Sequence, residues 1–490
     1  MISKSNFTAA RQCYKRAWLS KYRKDLAEID ENTRARFDVG RMVGKAARNL
    51  FPGGSLVNLN RNQQAMADKT RSLIDSGCQI IYEAAFIFED LIAVCDIVIV
   101  TPKGLQIYEV KSGTSAKDEY ITDISYQNYV VSKSGYEVVQ ANLVHINTEY
   151  TRYGELDYEQ LFKIVDVTEN SEQSFEMIES EVPIVREMLN GNMPNISIGK
   201  YCKDPYKCEF YNACWEHVPD YSVFDLYRVS DKAYEYYSKG IVTLEDIHEK
   251  GILLRGVQKQ QVDTLVSGEP VINKDEIHKF INSLQYPLYF LDFETFQEAI
   301  PSYDGCRAYE QIPFQYSLHI QNKPGEELIH KEFLGKEGTN PKRTLAEQII
   351  KDIGLTGTVL AYNMSFEATV LKKLAEEFPD LADHLLIVAN NLNDLLIPFR
   401  KTWYYCKEMK GSFSIKSTLP ALYPPEMNPD LDYKKLGINN GTEAMAAFPK
   451  MATMTPEEVE ETRKNLLKYC KLDTYAMVKV LEKLKEAVEQ

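Results

Sequence analysis

The sequence predicts an α/β chain in which two strand-bearing regions flank a helical connector. Three observations point there. The runs LIAVCDIVIV and LQIYEVKSG are strand-like and flank Thr101-Pro102-Lys103-Gly104, a turn-like interruption, so they read as a β-hairpin. A second apolar strand, LYFLDFETF, follows Pro287 and leads through GTVLAYNMSFEATVLKKLAEEF to a charged C-terminal helix. Between them, SDKAYEYYSKGIVTLEDIHEKGI is helical in pattern and carries few groups that suggest chemistry. The expected domains are residues 1–219, a helical connector over 220–284, and residues 285–490. A length of 490 residues, at about 150 per domain, accommodates this division.

Composition narrows the functional classes. With 44% hydrophobic and 26% charged residues the chain is not globally disordered. It has no run of about 18 apolar residues, so no membrane span is expected. The segment MISKSNFTAARQCYKRAWL lacks an apolar core and a small-residue cleavage site, which reads as cytoplasmic. The net charge of −14 argues against non-specific coating of long nucleic acids. Met1 to Leu50 nevertheless carries 12 Lys and Arg against 5 Asp and Glu. That local excess fits either a channel for a polyanion, with Lys15, Arg16 and Arg34 as candidate contacts, or a solvated helix face.

Nine cysteines in a cytoplasmic chain are not expected to form a disulfide framework. Cys78, Cys95, Cys306, Cys406 and Cys470 sit among apolar or helical neighbours and read as small core residues. Cys202, Cys208 and Cys214 recur at intervals of six in YCKDPYKCEFYNACW, a Pro- and aromatic-rich stretch able to wrap a metal centre. Cys13 is the natural fourth ligand.

In the hairpin, Glu109 and Lys111 are two apart and leave the same face of their strand. With Pro102 and Lys103 as turn residues, Asp96 lies across from Glu109; with the turn shifted by one it lies across from Lys111. Either register gathers two carboxylates and an ammonium, with Glu83 on the preceding strand-like segment as a further acid. Such a set holds Mg²⁺ or Mn²⁺ through oxygen, or forms a cross-strand salt bridge.

Flanked by Cys13 and the triple cysteine, this arrangement resembles the RecB-like PD-(D/E)xK nucleases of the iron–sulfur class, which include CRISPR-associated and recombination enzymes. The resemblance implies a restriction-endonuclease-like first domain. Asp96, Glu109 and Glu83 would be metal ligands, with Lys111 the catalytic lysine. Cys13, Cys202, Cys208 and Cys214 would hold a 4Fe–4S cluster that pins the domain's ends together, with zinc as the alternative occupant. The chain departs from that class in three ways. FDVGRMVGKAARNL has no histidine, the first cysteine interval is wide, and Gln127 is followed by Tyr129 where a Gln-x-x-x-Tyr helix is usual.

In LYFLDFETF, Asp292 and Glu294 point the same way from a strand expected to be buried, a costly placement unless a cation neutralises them. Asn363 is expected to cap the following helix, with Glu367 in its first turn. Tyr469 and Asp473 are spaced i, i+4 on the C-terminal helix. In that order these residues resemble the tyrosine subtype of the DnaQ-like DEDD exonucleases. The resemblance implies a ribonuclease H-like second domain, two divalent metals held by Asp292, Glu294, Glu367 and Asp473, and a water oriented by Tyr469. Glu367 stands where the family has Asp. Asp394 reads as a supporting acid.

Together the resemblances imply a metal-dependent nuclease with two active sites. Its expected substrate is single-stranded DNA, with 3′-end trimming by the second domain. The alternative is a nucleic-acid-binding scaffold or assembly factor in which one or both sites are degenerate. A structural zinc protein with incidental acidic pairs is a third reading.

Overall fold

The computed structural model describes residues 1–58 and 62–489 and has mixed α/β architecture. It divides into two compact units: residues 1–217 with 298–310, and residues 218–297 with 311–490. The segment read from sequence as a separate connector folds within the second unit. There Val223, Leu226, Ala233, Tyr236, Leu244, Ile247 and Val262 bury one another in a small helical core. Among the described residues no helix is long and apolar enough to cross a membrane.

The first unit is built on a seven-stranded sheet. Its strands are β1 (Ile2–Ser3), β2 (Ser55–Leu56), β3 (Ile80–Phe88), β4 (Leu91–Thr101), β5 (Gly104–Val110), β6 (Val138–Ile146) and β7 (Phe162–Asp166). The order is β2-β3-β4-β5-β6-β7, with β1 pairing β4 in parallel. Strand alternation sends Ile81, Val98, Ile107 and Leu143 to one face, against Ile124 and Val131 of helix Asp118–Lys133. Their neighbours Tyr82, Ile97, Tyr108 and Val144 go to the other face, against Val43 and Ala47 of helix Glu31–Ala47. A sheet covered on both faces explains why these strands read as nearly continuous apolar runs.

The second unit contains β8 (Val271–Ile272), β9 (Leu288–Phe296), β10 (Ile312–Gln321), β11 (Ile329–Leu334), β12 (Thr358–Ala361), β13 (Leu392–Asp394) and β14 (Tyr404–Tyr405). Five of them form a sheet in the order β11-β10-β9-β12-β13, and β14 pairs β8 separately. The first two pairings are antiparallel and the last two parallel. Leu291, Phe293, Tyr316 and Leu318 pack under Leu345, Ile349, Leu371 and Leu374. The alternate residues of β9, Asp292 and Glu294, therefore take the opposite face, towards helix Pro456–Glu489, where the Cys470 thiol lies 3.5 Å from an Asp292 carboxylate oxygen.

One histidine pair in this sheet, His319 buried and His330 half-buried, makes stability depend on pH. His319 and His330 face each other across β10 and β11, with ring centroids 4.6 Å apart. His319 Nδ1 lies 2.8 Å from the Thr474 hydroxyl, and His330 Nε2 lies 3.0 Å from the Ser317 hydroxyl. Burial pushes His319 down to about 3, helped by His330 and Lys471. Burial and Lys471 push His330 down to about 4. Below the ordinary value of 6.5 the unfolded chain takes up protons that the folded pair refuses, so stability falls as pH drops from about 6.5 to about 4. Urea midpoints across this range are expected to decline more steeply for the native chain than for His319→Gln/His330→Gln. Parallel curves would show that the pair does not govern acid stability.

Candidate metal centres

In the first unit β4 and β5 pair from Thr101 with Gly104 to Ile97 with Tyr108. Pro102 and Lys103 are thus the turn residues, and Asp96 comes next to Glu109 rather than to Lys111. An Asp96 carboxylate oxygen accepts the Val110 N–H at 2.7 Å. Glu109, only 2% exposed, accepts from Lys111 Nζ at 2.8 Å, from Gln127 Nε2 at 2.7 Å, and from Lys4 Nζ. Lys111 also pairs with Asp123. Glu83 sits at φ +56° in the middle of β3, where the register passes from Tyr82–Ile97 to Ala84–Cys95, and accepts from Arg48 at 2.8 Å. A positive φ at a non-glycine residue stores strain, which surrounding contacts must hold.

The charges here are nearly balanced. Burial and the Glu109 charge raise the Asp96 carboxyl. Burial also works to raise Glu109, but Lys111 and Lys4 outweigh it and hold that carboxyl below its usual range. Burial works to lower Lys111, and Glu109 and Asp123 outweigh it, keeping the ammonium charged. Lys4, Arg48, Asp123 and the inward role of Gln127 were not found from sequence. Lys4 comes from helix Lys4–Gln12, Arg48 from the turn Arg48–Leu50, and Asp123 and Gln127 from helix Asp118–Lys133, so no spacing within the strands signals them.

The four cysteines singled out from sequence line one recess. Cys13 lies in extended backbone between helices Lys4–Gln12 and Tyr14–Tyr22. Gln12 Nε2 donates to the carbonyls of Tyr201 and Tyr206 at 2.6 and 2.8 Å, and Arg16 pairs with Glu209 at 2.9 Å. These contacts tie the N-terminal helices to the cysteine loop. Burial pushes the Cys208 thiol up to about 12 and also raises Cys214, which feels Cys202 and Cys13. Four soft donors around one recess could hold a thiolate-bound centre, either iron–sulfur or zinc. Among the candidate polyanion contacts, Arg16 is engaged with Glu209, Lys15 lines the recess, and Arg34 is exposed on helix Glu31–Ala47.

In the second unit Asp292, Glu294 and Asp473 bring ligand oxygens within 4.8 Å of one another. Burial, and then the Asp473 charge, pushes both Asp292 and Glu294 well above the usual carboxylate range. Burial likewise raises Asp473. Glu367 is outside that trio but 3% exposed, and one of its carboxylate oxygens has no hydrogen-bond partner. Burial pushes it up to about 8. A hard divalent cation is the missing charge that such an array of acids suits.

Two further side chains converge here. The Tyr433 hydroxyl donates to Asp473 at 2.7 Å, and Lys416 Nζ donates to the Tyr469 hydroxyl at 3.1 Å. Neither was found from sequence: Tyr433 lies in the three-residue turn Tyr433–Lys435, and Lys416 lies in the first turn of helix Ile415–Leu422, where nothing local marks a phenol partner.

The expected Asn363 cap is not what starts the next helix. Helix Ser365–Glu377 begins after Met364 with no side-chain cap. Asn363 instead takes φ +72° and donates its N–H to Asp394 at 2.9 Å. Asp394 also accepts from the Leu396 N–H and pairs with Arg400, so it organises the loop beneath the acids.

Residues 289–414 match a family model described as Domain of unknown function (DUF2779). The match includes Asp292, Glu294 and Glu367 and stops before Tyr433, Tyr469 and Asp473. The chain is also 24% identical over 356 residues to an uncharacterized protein, UU173, of Ureaplasma parvum serovar 3. That alignment covers 67% of this chain and 51% of the relative, so the chain spans about half the length of the curated relative it matches. No solved structure matches the chain.

Proposed function

We propose that the chain is a metal-dependent nuclease with two active sites, acting in the cytoplasm on nucleic acid, with single-stranded DNA as the first substrate to test. The observation that carries this reading is the convergence of Asp292 with the buried Glu294 and Asp473, and Tyr469 one helical turn from Asp473. In this reading the second unit is ribonuclease H-like and of DnaQ-like DEDD type. The strand order β11-β10-β9-β12-β13, two antiparallel pairings followed by two parallel ones, supports it. The first unit is restriction-endonuclease-like and of RecB-like PD-(D/E)xK type. Support comes from Asp96, Glu109 and Lys111 at one point of its sheet and from the recess shared by four cysteines, read as a 4Fe–4S site.

Mg²⁺ or Mn²⁺ held by these acids would polarise a phosphodiester and lower the pKa of water. The protein's own groups have separate tasks. Burial and Asp473 keep the Tyr469 phenol protonated, so its O–H can orient a water. In the first unit Lys111 stays charged and can stabilise negative charge developing on phosphate. The engagement of Glu109 by Lys4, Lys111 and Gln127 favours a second reading for that unit alone, in which it binds nucleic acid without cutting it.

The deciding assay uses anaerobically purified protein with Mn²⁺ or Mg²⁺ and end-labelled single-stranded DNA and RNA. Asp292→Ala is expected to remove the 3′-trimming products, and Lys111→Ala a different set. If Lys111→Ala changes nothing while Asp292→Ala abolishes cleavage, the first unit is a binding module. Cleavage unaffected by either change would place the active sites elsewhere.

A further inference from the structure

Glu109 is held by two ammonium groups, and only one of them, Lys111 just past the end of β5, is local to it. The other, Lys4, opens helix Lys4–Gln12. The backbone under Lys4 is fixed three times over. Ile2 and Ser3 pair with Leu91 and Ile92 of β4, the Tyr126 hydroxyl donates to the Ile2 carbonyl at 2.6 Å, and Ser3 and Asn6 close a capping box. A lysine in the first turn, with no acid beside it there, opposes the helix dipole. Helix energetics therefore do not account for Lys4; the carboxylate does.

A divalent ion approaching Asp96 and Glu109 meets a carboxylate whose oxygens are already engaged. Gln127 holds one oxygen, and Lys4 and Lys111 share the other. Lys111 keeps Asp123 if it lets go of Glu109. Among the described residues, Lys4 has no second carboxylate in ion-pair range, and a quarter of its side chain is exposed.

We propose that Lys4 is a tethered counter-cation that occupies the Glu109 oxygen a divalent metal ion requires, so that metal entry into the first unit displaces its ammonium. This rests on the reading of Asp96 and Glu109 as metal ligands. Lys4 sets the metal concentration at which the site fills, and it holds the buried acids together when no metal is bound.

Two measurements on the full chain test this. In an Asp292→Asn background, which silences the second unit's trio, free Mn²⁺ is followed by electron paramagnetic resonance during titration. Asp96→Asn identifies binding at this site. Lys4→Met and Lys4→Gln are each expected to tighten the Asp96-dependent binding about tenfold or more, the equivalent of one charge-assisted hydrogen bond no longer displaced. Lys4→Arg is expected to return it to the parent value. Unchanged or weaker binding in both Lys4 variants, in chains that melt like the parent, overturns the proposal and leaves the metal site standing. No Asp96-dependent binding in any chain overturns the ligand reading and the proposal with it. The second measurement needs no Lys4 variant: Mn²⁺ is expected to increase the acetylation rate of Lys4 by acetic anhydride, read by mass spectrometry. A rate that Mn²⁺ leaves unchanged overturns the proposal.

Discussion

Asp292→Asn is expected to stabilise the metal-free chain and to remove most of the stabilisation that Mn²⁺ confers. In the absence of metal, Asp292, Glu294 and Asp473 crowd their oxygens within 4.8 Å on a buried face. Burial and mutual repulsion both disfavour their ionised forms. Asparagine keeps the shape and removes one charge. The expected gain is about 1–3 kcal/mol, the penalty usual for a buried group without its partner. For a unit of this size each kcal/mol corresponds to about 2–4 °C in melting temperature. Bound metal reverses the comparison. At 100 times its Kd a cation adds about 2.7 kcal/mol to the native chain, and the variant forfeits that contribution. Differential scanning calorimetry of the two proteins, with EDTA and then with Mn²⁺, tests both halves. Any residual Mn²⁺ response in the variant is expected to vanish on adding Asp96→Asn. A native chain that gains nothing from Mn²⁺, or a variant that gains as much, would mean that the trio is not a metal site.

The parts of this structure legible in the sequence are those governed by short-range periodicity. Alternation along LYFLDFETF put Asp292 and Glu294 on one face because a strand's period is two, and β9 sends Leu291 and Phe293 to the core and the acids away from it. The turn chemistry of Pro102-Lys103 left two registers, and pairing of Thr101 with Gly104 selects the one that sets Asp96 beside Glu109. The shared recess of Cys13 with three cysteines far along the chain was legible only because thiols in such a pattern carry strong chemistry. Lys4, Arg48, Lys416 and Tyr433 carry no such mark. A lysine in a basic helix and a tyrosine in a charged turn read as surface residues, and only tertiary contact gives them carboxylate and phenol partners. Asn363 shows the opposite error. Asparagine before a helix suggests a cap, yet its tolerance of positive φ is what the chain uses there, turning from β12 so that its N–H meets Asp394.

Cys202→Ser is expected to loosen the first unit far more than a buried thiol-to-hydroxyl change would on its own. The loop around Cys202, Cys208 and Cys214 has little regular structure: a three-residue turn at Lys200–Cys202 and a short helix at Tyr211–Trp215. It is held to the N-terminal helices by Gln12 and by the Arg16–Glu209 pair, and, in the proposed reading, by a centre that the four sulfurs would share. A centre that joins Cys13 to Cys202 closes a very long loop, and its loss returns that loop's entropy to the unfolded chain. Helix Lys4–Gln12 connects this staple to the acids, with Lys4 at one end and Cys13 just past the other. Loosening the staple therefore frees the helix that holds Lys4 against Glu109. Hydrogen exchange is expected to rise across residues 1–22 and 199–215 while β9 and β12 keep their protection. Products lost in Lys111→Ala are expected to be lost here too, with those that depend on Asp292 retained. The native chain, purified without oxygen, should absorb broadly near about 400 nm if the centre is iron–sulfur and not if it is zinc, and the variant should lose that band. Unaltered exchange in residues 1–22, with the band gone, would mean that the centre does not brace the helix.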